Sequence, residues 1–383
     1  MNAIPRSALE PYLPSLRDEA WRQTNLRASL APSYARADAD APAPALPALD
    51  GARIVFVNGV HREALLIAPD TCTLEAGQPA ANAAAPGAEK LTALNAAFAS
   101  EGAVIAVPEG INAGRLLLVS AMHAEGEAAA CHPRHRIHLA KSAQLAVLEI
   151  TTGSGTYLAN SVAEITLAEG AHLTHVRLIQ DSEGAVSLAT IYVDAAAGAT
   201  YDSFTMTLGA KLARTEIIAS LNGPNATVHL NGAQLLDGKQ LGNISTTVNH
   251  NAPSCASRQT VKNVLNGHAH GVFQGRIAVA RHAQKTDGYQ MNQALLLSDH
   301  AQIDSKPELE IYADDVKCSH GATVGELAAE QLFYLRSRGI PQAEARRILV
   351  HAFLDEALNF VGDEAIRALL GDAMDAWWKA RTP

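Results

Sequence analysis

Cysteine is scarce in this chain of 383 residues: four, Cys72, Cys131, Cys255 and Cys318, stand far apart with no C-x-x-C between them. That spacing excludes a disulfide frame and a complete zinc or cluster cage, and it predicts reduced thiols in a cytoplasmic chain. Clustered positive charge is also lacking. Lys and Arg number 30 against 39 Asp and Glu, the net charge is −9, and no basic run reaches five residues. Nucleic acid and an anionic membrane surface are therefore not expected partners. No stretch approaches the ~18 uninterrupted apolar residues that a membrane span needs. The N-terminus sets Pro5, Pro11 and Pro14 among Arg6, Glu10, Arg17 and Asp18, which is not the apolar core of a leader. No G-x-x-x-x-G-K-[ST] occurs, so the chain is not expected to hydrolyse ATP itself. No G-x-G-x-x-G opens a helix after a strand, so a Rossmann-type cofactor site is not indicated.

What is present falls into four stretches: an N-terminal helical segment and linker over 1–50, an α+β region over 51–134, a β core over 135–322 and a helical domain over 323–383. Leu9, Leu13, Leu16, Trp21, Leu26 and Leu30 have helical spacing, and the Ala/Pro/Asp-rich stretch from Ala31 to Gly51 lacks large side chains to bury. Asn58-Gly59, flanked by β-prone runs, predicts a type I′ hairpin. A soft stretch over 76–90 precedes a short helix near 90–99.

From about 135 onward, short Val/Ile/Leu/Thr runs alternate with Gly, Asn and Asp turns. A weak repeat (small or polar residue, Ala, any residue, apolar residue) appears at Ala143, Ala171, Ala199, Ala226 and Ala301, the first four spaced by 28, 28 and 27. Near-constant spacing of this size, without helices, indicates a β-solenoid, with an ordinary β-sandwich as the alternative. Thr323-x-x-Glu326 reads as a capping box that starts a helix, Gly339 as its end and Pro341 as the first turn of the next. A third helix is expected from about Asp363 to Lys379. The bland role for these helices is a cap on the open end of the solenoid.

Alternation along the last strand places Val316, Cys318 and His320 on one face, with ~6.6 Å between the α-carbons of the thiol and imidazole residues. Both are good iron ligands, but two ligands cannot close a tetrahedral site, so further donors would have to come from another chain. Cys131, His132, His135 and His138 look like metal spacing, yet strand parity turns His135 away from His132 and His138, which favours ordinary surface or core histidines. The pair His268 and His270 is read the same way.

Asp314-Asp315-Val316-Lys317-Cys318-Ser319-His320-Gly321-Ala322-Thr323-Val324-Gly325, then Leu332-Phe333-Tyr334-Leu335-Arg336-Ser337-Arg338-Gly339-Ile340, carry the most specific pattern. With HGVFQGRIAVARHAQKTDGYQ (270–290), LLLSDHAQIDSKPELEIYADDV (295–316) and EAWRQTNL (19–26), this resembles the family of SufB and SufD, the scaffold subunits of the Suf iron-sulfur cluster assembly machine, and within it the SufD branch. The resemblance implies a mainly β protein with a right-handed parallel β-helix core and small helical regions at both ends. It also implies a SufB-like partner subunit, a SufC-like ATPase docked on the C-terminal helices, and a cluster held transiently at the SufB-SufD interface near His320, with Cys318 beside it. No cofactor is expected in the isolated chain, which is expected to be a non-catalytic scaffold, and a homodimer and a flavin in the wider complex are left open. Arg336 and Arg338 are the expected ATPase contacts because Arg is enriched at interfaces, while Leu332, Phe333 and Leu335 are expected to pack against the next helix. SufB-like chains carry a sulfur-accepting Cys where this chain has Gln290-Met291-Asn292-Gln293-Ala294-Leu295, so this chain is not expected to accept sulfur. The rival readings are a SufB-like main scaffold, a β-helix polysaccharide enzyme, disfavoured because neighbouring Asp314 and Asp315 face opposite sides of a strand, and a stand-alone binding module.

Overall fold

The computed structural model describes residues 4–35, 37, 38, 40–78 and 90–381. Its backbone winds as a two-sheeted parallel solenoid, because from Asn112 onward each strand pairs not with its sequence neighbour but with the strand one full coil away. The front sheet stacks Ala52–Val57, the first part of Asn112–Cys131, the first part of Gln144–Leu167, His172–Gln180, Thr200–Thr207, Thr227–Leu236, Ala256–Leu265, Asp287–Leu296 and Lys317–Gly325. The back sheet stacks Gly102–Val107, Arg134–Leu139, residues 158–167, Val186–Ala195, Leu212–Leu221, Leu241–His250, His270–Val279 and Gln302–Ile311. This is the mainly β, parallel β-helix architecture that the repeat and the resemblance imply.

The repeat has a physical cause. Ala143, Ala171, Ala199 and Ala226 each occupy the same inner corner just before a front strand, and each is fully buried. The carbonyls of Ala143, Ala171, Ala199 and Ala226 accept from the backbone N–H one coil on, at 2.8–3.0 Å. The residue before each alanine turns the corner with positive φ: Ser142, Gly170, Gly198 and Asn225 lie between 55° and 65°. Gly and Asn enter that region at little steric cost, which is why the repeat begins with a small or polar residue. After Ala226 the corner is taken by Cys255, then Thr286, behind Ser254 and Lys285, also at positive φ, and the alanine signal fades. Ala301 belongs to the other corner, before a back strand, so it is not a fifth member of the same column.

The predicted hairpin forms at Asn58-Gly59, with φ of 52° and 76° and Val57 opposite Val60. Helix α1 spans Lys90–Ala97, as expected near 90–99, whereas residues 79–89 of the soft stretch lie outside the described residues. The long N-terminal helix does not form. Pro11 and Pro14 break it into single turns at Arg6–Leu9, Glu10–Tyr12, Glu19–Trp21 and Leu26–Ser29. This segment still buries Leu9, Leu13, Trp21 and Leu26 with Leu188 and Leu212 of the back sheet, and Trp21 stacks under the Arg214 guanidinium at 4.1 Å.

Three helices end the chain: α2 Ala329–Ser337, α3 Gln342–Leu358 and α4 Glu364–Arg381. The capping box at Thr323 is not used, because the last strand runs on to Gly325 and satisfies that backbone by pairing with the strand below; α2 starts after Ala328 with no side-chain cap. Gly339 does follow α2 with positive φ, and Pro341 stands one position earlier than expected, as the cap of α3. The helices are not an end cap. Val350, Leu354, Leu358, Ile366, Leu370 and Trp377 of α3 and α4 pack along the side of the solenoid, on Val176, Leu178, Phe204, Met206, Leu235 and Val264 of the front sheet. The front sheet is thus apolar on both faces over much of its length, as buried parallel strands usually are. An ion pair of Lys262 with Glu356, and Arg115 to Asp363 at 2.6 Å, fasten the two layers at their rims. The end of the solenoid itself stays open.

Candidate functional site

Residues that pair only on one side have no coil above them, and this is the condition of Lys317–Gly325 and Gln302–Ile311, neither of which contains a buried residue. In register, Cys318 lies over Gly288, His320 over Gln290, and Ala322 over Asn292. Gly288, Gln290, Asn292 and Ala294 are the buried, inward members of their strand, so Cys318, His320, Ala322 and Val324 continue the inner face into the uncovered coil. The parity expected for Cys318 and His320 holds. Cys318 is half-buried against the small cluster of Ile277, Val279, Ala283 and Leu309. Burial pushes its thiol pKa up, only partly offset by the Gly288 backbone N–H. It is therefore a protonated thiol near neutral pH, not a poised thiolate. His320 is exposed at the rim.

Beneath these residues the solenoid interior changes character. Within the earlier coils Glu149 is flanked by His175 Nε2 at 3.0 Å and by Arg177 through Nε and Nη2 at 3.0 and 3.1 Å; His175 reaches the Tyr201 hydroxyl at 3.0 Å, and Arg177 donates to Thr215 Oγ1 at 3.0 Å. Burial alone would raise the Glu149 carboxyl pKa, but Arg177 and His175 outweigh it and hold that carboxyl well below the usual range. Further along, the interior is neutral and built of carboxamides. Gln234 Nε2 donates to Asn263 Oδ1 at 2.7 Å, and Asn263 Nδ2 to Asn292 Oδ1 at 2.8 Å. In the adjacent column Thr246 Oγ1 donates to Gln259 Oε1 at 2.6 Å, and Gln290 Nε2 donates to the Glu308 carbonyl at 3.3 Å.

Other sequence candidates separate. Pro133 interrupts the strand between His132 and His135, so His135 faces inward, where its Nδ1 accepts the Ala103 N–H at 3.2 Å, while His132 packs on Phe98 and His138 is exposed. Burial pushes both His132 and His135 down to about 4, which keeps them neutral. His268 stacks on His300 at 4.7 Å, and His270 pairs with Asp304 at 2.7 Å. Among the described residues no group of three or more His, Cys, Asp and Glu side chains is arranged to hold a metal ion. On α2, Arg336 and Arg338 are exposed, with Arg338 over the Tyr334 ring at 5.3 Å. Phe333 does not pack inward as expected: it is 74% exposed and Tyr334 57%, because α2 packs chiefly on α3 and turns this face away from it.

The carboxamide interior was not anticipated from the sequence. Its signal is there only in part: Gln234, Asn263 and Asn292 recur at a spacing of 29 residues, which is one coil from Gln234 to Asn263 but two residues short of the coil that sets Ala294 over Asn263.

A family model described as "SUF system FeS cluster assembly, SufBD core domain" matches residues 121–353. The chain is 34% identical over 376 residues to the iron-sulfur cluster assembly protein SufD of Escherichia coli, an alignment covering 94% of this chain and 88% of that protein. It is 31% identical over 380 residues to an iron-sulfur cluster assembly SufBD family protein of Synechocystis, covering 91% and 83%.

Proposed function

Because the chain belongs to the SufBD family of the SUF system for iron-sulfur cluster assembly, we propose that it is a SufD-like, non-catalytic scaffold subunit of the cytoplasm that pairs with a SufB-like subunit and docks a SufC-like ATPase. The observation that carries this reading is the unfinished last coil, where an exposed imidazole and a protonated thiol share an inward face with nothing above them. A chain that ends its β-helix in this way presents unpaired backbone and a single good iron ligand to whatever covers it. The cluster is cargo here. This chain supplies one imidazole, and one thiol only if iron displaces its proton, so the remaining ligands fall to the partner. With no Cys over 290–295 this chain has no thiol there to carry a persulfide, so covalent acceptance of sulfur falls to the partner. The exposed aromatic face of α2, Phe333 and Tyr334 with Arg336 and Arg338, suits the ATPase, since aromatic and Arg side chains anchor interfaces. ATP-driven movement of α2 would reach the solenoid through α3 and α4, which lie along its side.

The test is co-expression of the tagged full chain with a SufB-like subunit and a SufC-like ATPase. His320→Ala is expected to keep both partners and cut cluster yield about tenfold or more, read as visible absorbance per complex. Phe333→Ser is expected to release the ATPase and keep the scaffold partner. Normal cluster yield from His320→Ala would reduce that residue to a structural role, and a chain that brings down neither partner would sink the whole reading.

A further inference from the structure

The carboxamide columns under the last coil have a direction. Gln234 Nε2 and Asn263 Nδ2 both donate toward the open end, and the amide oxygens of Asn263 and Asn292 accept from the coil below. The neighbouring column runs the same way: Thr246 donates to Gln259, and Gln290 donates to a carbonyl of the last coil. Gln259 Nε2 and Gln290 Oε1, on strands paired in register, are left as a complementary donor and acceptor. Gly275 makes this possible, since a Cβ there would come 2.0 Å from Gln290 Oε1. None of these five carboxamide residues is more than 1% exposed.

Aligned amide dipoles add, and hydrogen-bonded chains polarise one another, so the positive end of both columns lies beneath the last coil. The first column ends on Asn292 Nδ2, a buried donor with no hydrogen-bond partner among the described residues. Its Oδ1 is held from below by Asn263, so the nitrogen is turned toward the last coil, where its register partner is only Ala322. Ser305 Oγ, on the opposite strand of that coil, is also buried without a partner. The acidic residues of that strand, Asp304, Glu308 and Glu310, alternate to the outer side, where Glu310 pairs with Arg276 and Asp304 with His270. Buried donors without acceptors are rare in native interiors, and they are costly unless something accepts from them.

We propose that the two columns form an anion-accepting floor for the His320 site, in which Asn292 Nδ2 donates to an inorganic sulfur anion of the hydrosulfide class. This rests on the reading of His320 given above and names the second half of the same site: an imidazole lone pair for iron, an amide N–H for sulfur. Donors of this kind stabilise the charged form of sulfur and repel a cation, so the two halves differ in sign and can be tested apart.

Asn292→Asp keeps the acceptor that Asn263 needs and replaces the terminal donor by an anion. The full chain and its Asn292→Asp, Asn292→Leu and His320→Ala variants are dialysed anaerobically to equilibrium against sodium sulfide and, separately, against iron(II). Asn292→Asp is expected to weaken hydrosulfide binding roughly tenfold while leaving iron(II) binding equal or tighter. Asn292→Leu is expected to weaken hydrosulfide with iron(II) unchanged, and it decides alone if the Asp variant does not fold. Equal hydrosulfide affinity in wild type and the Asn292 variants, or no measurable hydrosulfide binding by the wild type, overturns the inference. Unchanged iron(II) binding by His320→Ala would count against the His320 reading only, leaving the outcome at Asn292 to decide the floor.

Discussion

The coils built from residues 144–221 and the final coil of residues 302–325 share one backbone pattern and differ in what completes it. The earlier coils enclose a satisfied ionic cluster, Glu149 with His175 and Arg177, and are clad outside by the N-terminal segment on one sheet and by α3 and α4 on the other. The final coil has no buried residue in either strand, and the helical cladding ends before it, with Leu295 the last front-sheet side chain that the helices bury. A parallel solenoid can bury charge only where neighbouring coils supply every partner. At its end the same inward positions become a surface. Stability is concentrated in the first region and the proposed ligand chemistry in the second, so the two can be perturbed separately.

The largest expected effect comes from removing the cladding. Deleting 324–383 would uncover Val176, Leu178, Phe204, Met206, Leu235 and Val264 together. At about 1.5–3 kcal/mol for each large apolar side chain, the loss is on the order of 10 kcal/mol, comparable with the whole stability of a domain. The truncated chain is expected to aggregate instead of persisting as the folded β core that an end-cap role would permit. Size-exclusion chromatography and circular dichroism check this; a monodisperse, β-rich truncated chain would show that the cladding is dispensable.

Next in size is Glu149→Gln, which leaves Arg177 buried without its counter-charge. Breaking a buried pair in this way costs about 3–5 kcal/mol, whereas Gln259→Leu in the neutral interior is expected to cost within about 1–3 kcal/mol. Urea denaturation of both variants measures the contrast, and equal losses would erase the distinction between the two interiors. The pH dependence has a definite sign. The folded pKa of Glu149 is depressed, so its contribution is present above the ordinary carboxylate range and is lost as pH falls through the depressed value. Wild type should therefore lose stability on acidification below about pH 4, the unfolded carboxylate range, by a margin that Glu149→Gln no longer shows.

Much of this architecture is legible in the residues because it is periodic. The alanine corners reveal the coil length, and Asn58-Gly59 reveals its hairpin. The position of the C-terminal helices is not legible, since an apolar stripe on α3 or α4 does not say whether its partner is the end of a solenoid or its flank. Parity along 316–320 placed Cys318 and His320 correctly, because strand alternation needs no knowledge of neighbours. Gln259, Asn263, Gln290 and Asn292 look like surface residues one strand at a time. They become an interior only across coils, where Gln290 stands over Gln259 in register and Asn292 meets Asn263 on the diagonal. Glu149 and Arg177 are hidden for the same reason, at a spacing of 28 residues. Phe333 misled because an amphipathic helix is ordinarily read as burying its largest side chain, whereas α2 leaves it outside.

The smallest expected effect is that of Cys318→Ser, and it sharpens the comparison at the open end itself. Cys318 is an inward residue of the bare coil, half-buried on Ile277 and Leu309, and its thiol is held protonated by that burial. Serine preserves the size and loses a weakly apolar contact, so the stability change should stay below about 1 kcal/mol. If iron is held on this chain by the imidazole alone, cluster yield of the co-expressed complex should remain near that of wild type, in contrast to His320→Ala. If iron displaces the thiol proton and both side chains act as ligands, the two variants should fall together. Parallel measurement of cluster absorbance for Cys318→Ser and His320→Ala decides between one ligand and two, and a drop as deep as that of His320→Ala would extend the ligand set from the rim of the last coil into its interior.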